Sequence, residues 1–176
     1  MKHLTVLTIT LLITFLTNAQ DSKDAYLENV KTLNSTLETL YAVISGEKGE
    51  ARDWDLFRFL FHPDAKLIPS GKNREGKIGA RFITPDDYVN SSGNYLVENG
   101  FYEIELQREV DTFGNITQVF STYESYRSKN DKEPFMRGIN SIQLLNDGNR
   151  WWVLNIYWMQ ESDENPIPEQ YLPNKN

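Results

Sequence analysis

The sequence predicts an α+β fold: three N-terminal helices packed on one face of a strongly curved antiparallel sheet. Two observations predict it. Before residue 100, apolar residues recur at steps of three and four. After it, four segments alternate or are rich in β-branched and aromatic residues. Helical segments followed by long strands suit helices laid on one face of a sheet.

Residues 22–45 carry Tyr26, Val30, Leu33, Leu37, Leu40, Tyr41 and Ile44 on one helical stripe, with Ser22 or Asp21 as cap and Gly46 as terminator. A second helix is expected over 51–61, where Trp54, Phe57, Leu60 and Phe61 share a face and Pro63 stops the run. Asp64 then turns the chain into a short strand over 65–69. Residues 70–81, with three glycines and four basic side chains, read as an exposed loop. Thr84-Pro85-Asp86-Asp87 starts a third helix: Thr84 caps, Pro85 takes the first position and Asp87 returns a carboxylate. That helix runs to about Val97, and Gly100 closes it.

The strands cover 101–111, 115–128, 135–146 and 150–160, joined by short polar segments that suit hairpins in an antiparallel meander. The last strand is largely apolar on both sides, with Trp152, Leu154, Ile156 and Trp158 on one face and Trp151, Val153, Asn155, Tyr157 and Met159 on the other. It must be covered twice, and a homodimer through the sheet's outer face is the expected second cover. The tail, 161–176, has three prolines and no period; Ile167, Tyr171 and Leu172 are its anchors.

A chain of 176 residues has room for one folded domain, 20–160, and its nine Phe, nine Tyr and four Trp supply a core. The formal charge of −7 disfavours nucleic acid or an anionic membrane as partner, since either demands clustered Lys and Arg. With no cysteine, disulfides, thiolate chemistry and Cys-based zinc sites are excluded.

Residues 1–19 read as a signal peptide. Lys2 and His3 precede an apolar run from Leu4 to Leu16, and small or polar residues lead to a cut after Ala19. That run is about 13 residues, roughly 20 Å of helix against a bilayer core near 30 Å, so no stable membrane insertion is expected. The expected location is outside the inner membrane, periplasmic or extracellular.

The segment 51–65, Ala-Arg-Asp-Trp-Asp-Leu-Phe-Arg-Phe-Leu-Phe-His-Pro-Asp-Ala, and the segment 149–158, Asn-Arg-Trp-Trp-Val-Leu-Asn-Ile-Tyr-Trp, resemble the nuclear transport factor 2-like superfamily, especially its SnoaL-like small domains. The resemblance follows the order of elements over about 25–160. It implies a cone-shaped fold with a pocket inside, frequent homodimers, and functions from isomerase and dehydratase to subunit adaptor.

Enzymes of that superfamily often keep an Asp or a His–Asp pair facing the pocket. His62 is the one histidine after the leader, and Asp53 or Asp64 stands near it, which makes His62 and Asp53 the candidate catalytic pair. The plainer readings are that His62 caps a helix end and that Asp53 satisfies free N–H groups at a helix start. The candidate pocket residues are Trp54, Glu124, Tyr126, Arg137, Asn140, Asn155 and Tyr157. Glu103, Glu105 and Glu109 alternate on one strand face and read as a solvated face. No metal-ligand spacing and no phosphate-loop pattern is present, so no cofactor is expected.

These features point first to an exported domain that binds a small apolar or amphipathic ligand. An isomerase or dehydratase using pocket His/Asp chemistry is the alternative, and a sheet-mediated assembly module is the third reading.

Overall fold

The computed structural model describes residues 25–173. The leader and the Ser22 or Asp21 cap lie outside the described residues.

The first helical stripe is broken at Thr32. A 3-10 turn, Leu27–Val30, precedes helix α1, Leu33–Ile44. Thr32 is extended (ψ 158°) and forms a capping box: its hydroxyl accepts from Ser35 N at 3.0 Å, and Ser35 Oγ accepts from Thr32 N at 3.1 Å. This local alternative outcompetes the continuous helix expected from periodicity. Helix α2, Trp54–Leu60, starts at Asp53, whose carboxylate accepts from Leu56 N at 2.8 Å. Helix α3, Pro85–Asn99, has the expected Thr84/Asp87 capping box with Pro85 in its first turn.

Six strands follow or interleave these helices: β1 Phe61–Lys72, β2 Ile78–Ala80, β3 Tyr102–Phe113, β4 Ile116–Tyr126, β5 Met136–Asn146 and β6 Trp151–Gln160. The last four match the expected meander. β1 and β2 replace the short strand and exposed loop, and Pro63-Asp64, read as stop signals, fall where the β1 register shifts between Phe61 and Lys66.

The sheet corrects two expectations. Its order is β2-β1-β6-β5-β4-β3, so among the described residues β2 and β3 are its edges and the sheet is open. It is neither closed nor strongly curved, and it does not form a cone. Nor is it wholly antiparallel, because β1 runs parallel to β6, pairing Leu67 with Ile156 and Pro69 with Trp158. The α+β class and the three helices stand.

All three helices pack on one face. The core lies between them and the sheet, with Leu37, Leu40, Phe57, Leu60, Leu67, Val119, Ile142 and Val153 buried. Each contributes about 1.5–3 kcal/mol on leaving water, which holds a cysteine-free chain together. Two buried arginines tie the helices down. Arg52 donates to the carbonyls of Ile44 (3.0 Å), Gly46 (2.6 Å), Leu96 (3.4 Å) and Glu50, joining the ends of α1 and α3. Arg150 donates to Phe59 O while its guanidinium lies 4.1 Å from the Phe59 ring centroid and 3.6 Å from that of Trp152.

The chain's own tail crosses the outer face. Thr122 Oγ1 donates to Tyr171 O at 2.6 Å, the Phe120 and Tyr171 rings meet edge to face at 4.9 Å, and Ile167 is buried. Among the described residues, no helix is long and apolar enough to cross a membrane.

Candidate functional site

A cavity of about 200 Å³ lies between α1, α3 and the inner face of the sheet. α1 supplies Leu40, Tyr41 and Ile44, and α3 supplies Tyr88, Tyr95 and Leu96. The strands contribute Leu67, Glu103, Tyr123, Met136, Asn140, Ile156 and Trp158. Tyr95, 51% exposed, is the most exposed of the large apolar side chains in the lining.

Its polar floor is set by strand register. A bulge between Glu105 and Gln107 puts Glu103, Glu105 and Arg108 opposite Ser125, Tyr123 and Ser121 of β4, all buried residues of the inner face. Of the three glutamates read as a solvated face, Glu103 and Glu105 therefore point toward the helices, while Glu109, past the bulge and opposite Phe120, is exposed. Glu103 Oε1 accepts from Asn140 Nδ2 at 3.2 Å, and Oε2 lies 3.5 Å from Ser125 Oγ. Glu105 accepts from Ser121 Oγ at 2.5 Å and pairs with Arg108 at 2.9 Å.

These contacts form one directed chain. Ser121 has a single proton and gives it to Glu105, which as a carboxylate only accepts. The 2.6 Å contact between Tyr41 Oη and Ser121 Oγ must then have Tyr41 as donor. Asn140 Nδ2 donates to Tyr41 Oη at 3.2 Å as well as to Glu103, so each of its two amide protons is used.

Burial controls the titration of this floor. Glu103 keeps some accessible surface because it faces the cavity, yet loss of hydration pushes its carboxyl up to about 7; the Asn140 and Ser125 bonds oppose that rise. Burial also raises the hydroxyls of Tyr41, Tyr88 and Tyr123, and the negative charge of Glu103 adds to each. Three phenols thus surround one carboxyl. Tyr123 fits because Gly138 lies against it: a Cβ there would stand 2.5 Å from Tyr123 Oη and 2.5 Å from Met159 O.

Of the pocket residues expected from sequence, Asn140 lines the cavity. Trp54 packs edge on against Phe57 at 5.8 Å, outside the lining. Arg137 bonds Glu161 at 2.7 Å and lies 3.8 Å from Glu124, which accepts from Tyr126 Oη at 2.6 Å. Asn155 donates to Gln143 at 2.8 Å, and Tyr157 is 47% exposed. Glu124, Tyr126, Arg137, Asn155 and Tyr157 belong to the opposite strand parity from the cavity.

The structure does not bring His62 and Asp53 together in the cavity. Asp53 caps α2 and also accepts from Tyr26 Oη at 2.9 Å. His62 is the second residue of β1, where Nδ1 accepts from Asp64 N at 3.2 Å and the ring meets Trp152 edge on at 5.9 Å. Sequence reasoning missed Glu103, Tyr41, Tyr88 and Tyr123. Phe101, two residues before Glu103 and of the same parity, was the available signal for Glu103.

The fold has known counterparts. A cystatin-like protein of unknown function from Nostoc punctiforme superposes with a TM-score of 0.56 at 8% identity, covering 74% of this chain and 90% of that one. A nuclear transport factor 2-like protein of unknown function from Silicibacter pomeroyi gives 0.51 at 15% identity, over 73% and 92%. The chain has the nuclear transport factor 2-like, cystatin-like fold. A third counterpart, from Novosphingobium aromaticivorans and provisionally named the beta subunit of an aromatic-ring-hydroxylating dioxygenase, gives 0.55 at 12% identity, over 85% and 99%. No protein-family model matches the sequence, and no curated protein matches it. These likenesses locate the fold alone.

Proposed function

We propose that the protein binds a compact, single-ring apolar or amphipathic molecule in the cavity above Glu103. The observation that carries this reading is a cavity of about 200 Å³ walled by aromatic and aliphatic side chains around one buried carboxyl. An apolar cavity of about 150 Å³ takes benzene, so the volume suits one ring with a polar substituent. Few polar groups converging in an apolar pocket is the usual pattern of a ligand site. Titrating single-ring compounds such as toluene and benzyl alcohol while following methyl resonances tests it. Shifts at Leu40, Ile44, Leu67, Met136 and Ile156 are expected, and their absence across the panel would overturn the reading.

A second reading, proton transfer on a bound ketone, is favoured by the Glu103 carboxyl near 7, which is matched to acid–base work at neutral pH. Glu103 then takes the role expected of His62 or Asp53. The test is α-deuterium exchange of acetophenone in D2O. Acceleration that vanishes in Glu103→Gln supports it, and the buffer rate in the parent protein contradicts it.

Export, kinship with SnoaL-like domains and pairing of two copies belong to the same proposal. The apolar run before Ala19 supports export, and segments 51–65 and 149–158 support the kinship. Ile104, Tyr157 and Met159, exposed at 51%, 47% and 38%, support pairing through the outer face beside the tail. Intact mass of material from an expressing cell and light scattering check the first and last.

A further inference from the structure

We propose that the ligand of this cavity carries a protonated amine, held by the Glu103 carboxylate and boxed by aromatic rings. The inference rests on the cavity being a binding site and names the chemistry of what it binds.

The lining has one sign of charge. Phe57, Tyr88, Tyr95, Phe101, Tyr123 and Trp158 contribute rings, Glu103 is the one charged side chain, and no Lys, Arg or His takes part. Ring faces carry negative potential and attract cations, more strongly where water is excluded. Arg127 is absent from the lining: its guanidinium lies 4.0 Å from the Phe135 centroid and 5.3 Å from that of Tyr95, and donates to Tyr95 Oη at 2.8 Å.

Glu103 itself receives few hydrogen bonds, and the Tyr88 and Tyr123 hydroxyls of the same lining make none to it. An ionised carboxylate offers about four acceptor positions. Glu103 receives one good bond from Asn140 at 3.2 Å and one long contact from Ser125 at 3.5 Å. Tyr41 cannot help, since its proton is committed to Ser121. The remaining acceptor capacity opens on the cavity, where an ammonium with three N–H groups would fill it and neutralise the charge that burial penalises.

The groups facing Glu103 are Tyr41 from α1, Tyr88 from α3, Tyr123 and Ser125 from β4, and Asn140 from β5. On its own strand Glu105 is neutralised by Arg108. None of them is a cation. An amine therefore binds the ionised carboxyl, and its affinity falls as pH drops through the Glu103 midpoint. A neutral carbonyl ligand, which needs the protonated acid as donor, would show the opposite slope.

Calorimetry on the full protein with benzylamine, benzyl alcohol and benzoate at pH 8 and pH 5.5 tests this. Benzylamine should bind at least about tenfold more tightly than benzyl alcohol at pH 8, with little binding of benzoate. Its affinity should weaken about tenfold per pH unit once below the midpoint. Glu103→Gln, checked for folding by its amide spectrum, should keep benzyl alcohol and lose the preference for the amine. Equal affinity for amine and alcohol, or an amine affinity that rises as pH falls, would overturn the amine inference and leave the cavity reading intact. Failure of all three compounds to bind would overturn both.

Discussion

Asn140 on β5 donates to Glu103 on β3 across 3.2 Å, although β4 lies between those two strands. The bond is possible because both side chains rise from the inner face and lean together over β4, where Ser121 and Ser125 are too small to separate them. The carboxyl is thereby fixed beneath the helices, in a place where ionisation is unfavourable.

Glu103 should make stability fall as pH rises. Its folded midpoint, raised to about 7 from 4.5, means that the folded protein binds more protons than the unfolded chain between those values. The contribution is most favourable below the unfolded midpoint, is lost through that window, and levels off above the folded one. Glu103→Gln should exceed the parent by about 3 kcal/mol at pH 8 and match it near pH 4.5, as read from urea unfolding.

Tyr41→Phe removes the central link between Asn140 and Ser121. One amide N–H and one hydroxyl are left in a buried setting, which should cost about 1–3 kcal/mol in the same unfolding assay. A loss within experimental error would mean that the chain of bonds is not formed.

Gly138→Ala should be destabilising by about 1–3 kcal/mol. The new methyl meets the Met159 carbonyl, which belongs to the sheet ladder, and the Tyr123 hydroxyl, each at 2.5 Å. Tyr123 would be displaced toward the cavity, so binding of any single-ring compound should weaken as well.

Arg52→Ala should cost about 3 kcal/mol, because charged donors to the carbonyls of Ile44, Gly46 and Leu96 disappear together. Hydrogen exchange should rise first at the ends of α1 and α3. Protection unchanged there would contradict the anchoring role.

Much of this fold is legible in the sequence where local chemistry decides it. Thr84, Pro85 and Asp87 mark α3 by their spacing alone, and the turn segments divide the last four strands. β1 is not legible, because Pro63 and Asp64 look like stops and its parallel pairing with β6 joins residues some ninety positions apart. The candidate site is harder still. Which face Glu103 occupies depends on the β3 bulge beyond Glu105, and a one-residue shift inverts every side chain. The polarity of Glu103 and Glu105 suggested solvent, while apolar Ile104 is the residue left 51% exposed. Open sheet edges and lack of strong curvature are tertiary features, and no periodicity encodes them.

The most direct test of the account is the titration of the Glu103 side-chain carboxyl by carbon NMR, assigned through Glu103→Gln. A midpoint near 7 is expected, moving down when benzylamine saturates the cavity. A midpoint near 4.5 in the free protein would contradict the account, for it would place the carboxyl in water and leave the cavity without its polar floor.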